Sequence, residues 1–366
     1  MKVYIGMDVH LKTFSMCSYS IEDDKAFAHT KISSSKEEVI NYINTIKKLK
    51  GENSEIICGY EAGCFGYTLQ KDLASENINC IILAPTSIPR VVKEIKTDKR
   101  DAEKIARCLA YHTYKEVYVP DDEDILVKDY LRMRDDHKTD LKRIKHRISS
   151  FVLRHNHHFD QTKYWTIKHV KWLRELPLPP MERRVLDEYL LTYDYYVIRL
   201  ENIDKKIEEI ALEDRYRDKV KRLICFKGVK TITALSSIVE VGDFNRFKSA
   251  SSYSAYLGLV PGEHSSGDIR RQEGITKTGN RYLRRLMIES AKTYKRGVLL
   301  SKKSKEVMKR QVGASLKVIA YADKASDRLR NKYWRVLSKS DNNTATVAIA
   351  RELACFIWGM MTDHID

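Results

Sequence analysis

Four carboxylates, Asp8, Glu61, Asp98 and Asp101, stand where alternating strands and helices would gather them. Asp8 closes the apolar run 3–7, and Glu61 follows a second run at 54–60. Both would project from carboxyl ends of strands, the usual place for sites in open α/β sheets. Asp98 and Asp101 are three residues apart at a helix start, so they share a face. Four convergent carboxylates do not easily stay ionised together without cations, which makes hard divalent ions, Mg²⁺ or Mn²⁺, the expected occupants. Two such ions about 4 Å apart activate an attacking oxygen and stabilise a leaving one in phosphodiester transfer. Far downstream, the glycine-bounded turn Gly258 to Gly267 carries Ser265 and Ser266. The combination suggests metal-dependent cutting with a serine able to hold the cut end. Ser-Ser-Gly is also common turn chemistry, and adjacent hydroxyls are not separable by sequence.

The elements that must position these groups follow from patterning. Val3 to Met7 and Phe14 to Tyr19 read as strands joined in a hairpin by the polar stretch 9–13. Ser33 to Glu38 is a capped helix start, and the helix runs to about Lys50 with Val39, Ile43 and Ile46 inward. Ser54 to Tyr60 is a third or fourth strand, Phe65 to Ala74 a helix and Asn79 to Leu83 a further strand. Lys99 to Tyr111, with Ala102, Ile105, Ala106 and Leu109 on one side, closes an α/β domain over 1–120.

From 121 to 220 the pattern is helical. Lys138 to Arg154 has a core-like face (Leu141, Ile144, Ile148, Phe151, Val152) and a basic one (Lys142, Arg143, Lys145, Arg147, Arg154). Leu186, Tyr189, Tyr193, Tyr196, Leu200, Ile203, Ile207 and Ile210 form a coiled-coil seam whose partner is a helix of the same chain or of another protomer. Pro177, Pro179 and Pro180 break the two helices apart. The region 221–366 reads as helical again apart from glycine-bearing turns, and Leu223 to Leu235 resembles a helix-hairpin-helix element.

Composition selects among partners. A net charge of +16 points to a polyanion, because dispersed Lys and Arg supply the phosphate-neutralising part of nucleic-acid affinity. Arg270, Arg271, Lys277, Arg281, Arg284 and Arg285 surround the serine turn among Gly274, Gly279 and Asn280, and suit phosphates rather than base reading. For Arg284 and Arg285 a plain basic helix face is the competing reading. Lys142, Arg143, Lys145 and Arg147, with Tyr164, Trp165 and Trp172 nearby, suit structured RNA through phosphate contact and stacking. His155, His157 and His158 lack ligand spacing and read as basic surface, while His264 reads as a hydrogen-bonding turn residue. Seven scattered cysteines, Cys17, Cys58, Cys64, Cys80, Cys108, Cys225 and Cys355, show no C-x-x-C pair, which disfavours a disulfide framework or zinc knuckle and fits a reducing cytoplasm. The first residues meet an acidic residue at Asp8 without a secretory apolar run, and no apolar stretch is expected to span a bilayer.

The strings 4–10, 59–63, 96–102, 258–261, 264–267 and 274–280 resemble, in order and across nearly the whole chain, the DEDD-type insertion-sequence transposases. These are the bridge-RNA-guided serine recombinases of the IS-one-ten group. The resemblance implies an N-terminal RuvC-like (RNase H-like) α/β domain, a helical coiled-coil insert and a mainly helical C-terminal transposase domain. It places Asp8, Glu61, Asp98 and Asp101 on the family's four acidic positions and Ser266 on its catalytic serine, with Ser265 as immediate rival. It also implies donor and target DNA and a guide RNA; the separation of serine and carboxylates in the chain, with the coiled-coil seam, points to a homo-oligomer, dimer or tetramer, and the expected location is cytoplasmic, at the nucleoid. Two other classes stay open: a structure-selective nuclease that hydrolyses without a covalent intermediate, and a non-catalytic nucleic-acid binder.

Overall fold

The structure, a computed structural model, describes residues 1–63, 65–85, 88, 97–263, 272–295 and 303–365, which fall into two units, Met1–Val119 and Pro120–Asp366. In the first unit, strands β1 (Lys2–Val9), β2 (Thr13–Ser20) and β3 (Lys25–Ser33) are followed by helix α1 (Lys36–Lys50). Strand β4 (Glu55–Glu61), helix α2 (Thr68–Ser75), strand β5 (Asn79–Leu83) and helix α3 (Asp98–Ala110) complete it. The sheet order is β3-β2-β1-β4-β5, antiparallel from β1 through β3 and parallel across β1, β4 and β5. Strand β1 therefore lies at the centre. The predicted hairpin and the helix start are present, with Ser35 accepting from the Glu38 amide at 3.2 Å. Strand β3 was not predicted.

Side-chain alternation along β1 divides two cores. Val3, Ile5 and Met7 pack with Val39, Ile43 and Ile46 of α1. Tyr4 packs with Ile105, Ala106 and Leu109 of α3. Gly6 lies on the α3 side, two residues from Tyr4, and a Cβ there would stand 2.0 Å from the Ala102 carbonyl oxygen. Only a glycine lets α3 sit this close to the sheet.

The second unit begins with α4 (Asp122–Arg154), α5 (Ile167–Glu175) and α6 (Pro180–Ala211). Helices α4 and α6 run antiparallel: Val127 and Leu131 share a core with Ile203 and Ile207, while Ile144, Ile148 and Phe151 meet Leu186, Leu190 and Tyr193. The partner of the predicted seam is thus a helix of the same chain. Leu186, Tyr193, Leu200, Ile203 and Ile207 are buried as the seam requires, whereas Tyr189, Tyr196 and Ile210 are only partly buried and Leu190 and Ala211 take inward places. Arg134 braces the pair, donating to both Asp204 carboxylate oxygens at 2.6 and 3.0 Å.

Helices α7 (Asp214–Leu223), α8 (Thr231–Val241) and α9 (Ala250–Tyr256) lead to strands β6 (Pro261–Glu263) and β7 (Gln272–Ile275). Helices α10 (Arg281–Ala291), α11 (Lys305–Gln311), α12 (Leu316–Leu337) and α13 (Asn342–Met361) complete the unit. The β6–β7 ribbon, paired antiparallel at Pro261–Ile275 and Glu263–Gln272, lies in a region predicted to hold only helices and turns. Helix α13 is long and apolar enough by length and composition to cross a membrane, contrary to the sequence reading. Its Ile349, Leu353, Ile357 and Met360 are buried in the core shared with α7 to α10 and α12. The described cysteines are free thiols.

Candidate active site

Alternation that puts Gly6 under α3 puts Asp8, two residues on, on the same face at the carboxyl end of β1. The parallel partner β4 repeats the arrangement. Gly6 is registered with Gly59 and Met7 with Tyr60, so Glu61 stands one place beyond the last pair, beside Asp8 and on its face. Neighbouring strands lie about 4.8 Å apart, which sets the spacing of these two positions. The α3 N-terminus supplies the other pair: Thr97 caps the helix, accepting from the Arg100 amide at 3.4 Å, and Asp98 and Asp101 occupy the first turn, where the helix dipole favours negative charge.

The structure brings Asp8 and Asp98 together through His10. Its Nε2 lies 3.2 Å from Asp8 Oδ2 and 3.8 Å from Asp98 Oδ1. Ligand atoms of Asp8, His10 and Asp98 all fall within 4.8 Å of one another. Lys31 donates to Asp98 Oδ2 at 3.3 Å, and Lys104 stands 4.0 Å from Asp101 Oδ1. Burial, opposed by His10 and reinforced by the charges of Asp98 and Asp101, raises the Asp8 carboxyl above the ordinary aspartate range. Asp101 thus acts on Asp8 through its field, and half-buried Glu61 joins by strand register. Sequence reading did not select His10 or Lys31. The signal for His10 was its place two residues beyond Asp8.

A divalent cation fits this donor set. Crowded carboxylates, with the Asp8 carboxyl held above its ordinary range and an imidazole and two ammonium groups already drawn against the cluster, are an environment that a metal charge relieves. Carboxylate oxygens suit Mg²⁺ and Mn²⁺, and a histidine nitrogen favours the softer of the two.

In the second unit, Ser265, Ser266, His264, Arg270 and Arg271 lie outside the described residues. Lys277 and Arg281 are exposed beside the ribbon, open to a phosphate backbone. Arg284 is buried, only 9% exposed, and its Nη1 donates to the Leu257 and Thr278 carbonyls, both at 2.9 Å. Arg285 pairs with Asp135 at 2.7 Å. On α4, Lys142, Arg143 and Arg147 are exposed, Arg143 donating to Asp140 at 2.8 Å. Lys145 differs: its ammonium rests 5.2 Å from the Trp165 ring centre and 5.6 Å from that of Tyr193, and burial lowers its pKa. Trp165 and Trp172 pack around buried His169. Tyr164 keeps 55% of its surface exposed. His155 faces Glu182 at 2.9 Å.

An acidic cluster whose donors fit a divalent cation, on a strongly basic chain, is the combination that enzymes of phosphodiester chemistry use. Family profiles agree: that of the IS110-type DEDD transposases matches residues 5–157, and that of the Transposase IS116/IS110/IS902 family matches 220–303. The transposase for insertion sequence element IS1533 of Leptospira borgpetersenii is 36% identical over 359 residues, 92% of this chain and 97% of that protein. The putative transposase y4qE of Sinorhizobium fredii is 32% identical over 318 residues, 86% of this chain and 77% of its own. A pilin gene-inverting protein of Moraxella lacunata is 24% identical over 292 residues, 77% and 80% of the two chains. The chain belongs to the IS110-type DEDD transposases, enzymes that cut and rejoin DNA. Membership implies a divalent metal, in keeping with the donor set described above.

Proposed function

We propose that this transposase exchanges DNA strands through a serine, on a RuvC-like N-terminal domain that holds the metal. Asp8, Glu61, Asp98 and Asp101 are the acidic positions, with His10 beside them, and Mg²⁺ or Mn²⁺ is the cation. Bound there, a divalent ion would draw charge from the reacting phosphate and ease departure of the leaving oxygen. The chain's own work is to keep Asp8 and Asp98 converged and to carry the nucleophile. The hydroxyl of Ser266, or of its neighbour Ser265, attacks the phosphorus. One strand end stays joined to the serine through that phosphate, and the other leaves as a hydroxyl that takes up a proton. Attack by a hydroxyl end from the second DNA restores the phosphodiester and frees the serine, so no water or energy source is consumed.

The parts divide as 1–120 for the acidic site, 121–220 for the basic helices and 221–366 for the serine. Exposed Lys142, Arg143, Arg147 and Tyr164 are the surface offered to a structured guide RNA. Lys277 and Arg281, with Arg270 and Arg271, are offered to donor and target DNA. We assign the active species to a homo-oligomer, dimer or tetramer. The observation that carries the reading is the Asp8–His10–Asp98 convergence on the face where Glu61 and Asp101 also stand. A relative named for inverting a gene supports rejoining over hydrolysis. The test incubates purified protein and its co-purifying RNA with donor and target DNA and Mg²⁺. Recombination should vanish in Asp8→Asn and in Ser266→Ala. Equal recombination by Ser266→Ala, with Ser265→Ala also active, would remove the serine from the mechanism.

A further inference from the structure

The β6–β7 ribbon stands on a junction where two backbones touch. Gly258 has φ +64 and an added Cβ would lie 2.2 Å from the Thr278 oxygen; Gly279 has φ +71 and its Cβ would lie 2.0 Å from the Tyr256 oxygen. Both torsions and both approaches exclude a side chain. Three amides stitch the arms together: Thr276 donates to Val260 at 2.9 Å, Lys277 to Gly258 at 3.2 Å and Asn280 to Tyr256 at 3.0 Å. Arg284 runs beneath them, one guanidinium nitrogen donating to Leu257 on the incoming arm and Thr278 on the outgoing arm. Burial and neighbouring Arg281 lower its pKa, yet a guanidinium stays charged. An aliphatic side chain would fill the space without desolvating a cation, so what the arginine adds is a directional link between the arms.

Asn280 connects this junction to the rest of the unit. Its Oδ1 accepts from the Leu283 amide at 2.9 Å, capping the helix that carries Arg284. Its Nδ2 donates to Glu240 Oε2 at 2.8 Å and to the Tyr256 hydroxyl at 3.3 Å. The Glu240 side chain is 2% exposed and takes a two-pronged bond from Arg132 of α4, at 2.8 and 3.0 Å. Lys128 stands 3.9 Å away. One buried carboxylate therefore joins the coiled-coil helix to the ribbon root.

We propose that Arg284 and Asn280 are positioning residues for strand transfer: they fix the root of the β6–β7 ribbon, and Glu240 ties that root to α4. The inference rests on the reading that the segment between β6 and β7 takes part in the reaction through its serine. Arg284 is accordingly an anchor and not a phosphate ligand, unlike exposed Arg281, the first residue of the same helix.

The test uses the full-length protein with its RNA and compares Arg284→Met, Arg284→Lys and Asn280→Ser. The serine variant keeps an N-cap hydroxyl while losing the amide to Glu240. Amide exchange at Thr276, Lys277 and Asn280 should accelerate at least about tenfold in Arg284→Met, with α12 and α13 amides unchanged. Strand transfer should slow by about 100-fold, the cost of roughly 1 Å of misplacement, while DNA affinity stays within about twofold. Arg284→Lys should recover part of the rate, and Asn280→Ser should loosen the root without unfolding α10. Unchanged exchange at the root overturns the anchor, and so does a rate loss explained wholly by lost DNA affinity. A loosened root with undiminished transfer overturns its part in the reaction. Ser266→Ala and Ser265→Ala run in parallel separate the two ideas. If both are active while Arg284→Met is not, the serine reading fails and the anchor stands. If Ser266→Ala is inactive and Arg284→Met fully active, the anchor alone fails.

Discussion

Alanine at Gly6 should disable the acidic site without touching any carboxylate. The added methyl would stand 2.0 Å from the Ala102 oxygen and 2.4 Å from the Ala106 nitrogen, both backbone atoms that no rotamer change can move. Going from 2.0 Å to a bearable 3.0 Å requires α3 to retreat by about 1 Å, at an overpacking cost of about 1–3 kcal/mol. Asp98 and Asp101 ride on the first turn of that helix, so they withdraw from Asp8 by a similar distance. A displacement of about 1 Å is enough for roughly a 100-fold loss of rate. Gly59 is the internal control. Its Cβ would meet the Ile81 oxygen and Leu83 Cδ1 at 2.9 Å and Leu109 Cδ2 at 3.0 Å, two of them ends of movable side chains. Gly59→Ala should therefore cost less than about tenfold. Mg²⁺-dependent cleavage of labelled donor DNA by the full-length variants, with thermal melting alongside, reads both effects. Wild-type cleavage and melting in Gly6→Ala, or greater damage from Gly59→Ala, would refute the reasoning.

Further outcomes follow from the same contacts. Asp8 has a raised folded pKa, so its stabilising contribution is complete below the unfolded value, about 3.9, and is lost as pH rises through the folded one. At pH 7 the metal-free Asp8→Asn protein should melt no lower than wild type, and Mg²⁺ should raise the melting temperature of wild type alone; equal Mg²⁺ stabilisation of both would contradict the site. His10→Ala should weaken Mn²⁺ more than Mg²⁺ in calorimetric titration, because it removes the nitrogen donor. Glu240→Ala should cost about 2 kcal/mol by denaturant unfolding, below the roughly 3–5 of a fully buried pair because Arg132 is 48% exposed in its side chain. Ile148→Ala, in the α4–α6 seam, should cost about 2–5 kcal/mol independently of protein concentration, since its partners are in the same chain.

Much of the N-terminal unit was legible because its strands are flanked by turns and carry unbroken apolar or β-branched runs, as 3–7 and 79–83 do. Strand β3 was not. It is an edge strand, and Phe27 and Ile32 fall out of simple alternation beside a register shift at Met16 and Ser18. The carboxylates were legible as strand-end and helix-start residues, but His10 looked like part of a polar hairpin link. What reveals it is the fold of that link, which returns His10 over Asp8. Strands β6 and β7 are too short for any period, and their pairing depends on contacts between arms some twenty residues apart, such as Asn280 to Tyr256. Arg284 read as one of the phosphate-binding cations around the serine turn, with a plain basic helix face as the competing reading. Its spacing from Met287 and Ala291 places it on the buried side, a pattern that charge alone concealed.

The central claim is that carboxylates of the first unit and a serine of the second serve one strand transfer. Its most direct test is to mix the protein, its RNA and end-labelled DNA carrying the element's junction with Mg²⁺, denature, and look for protein-linked label. The account predicts an adduct that disappears in Ser266→Ala and in Asp8→Asn. Cleavage of the same DNA with no adduct would contradict it and make the protein a hydrolytic nuclease.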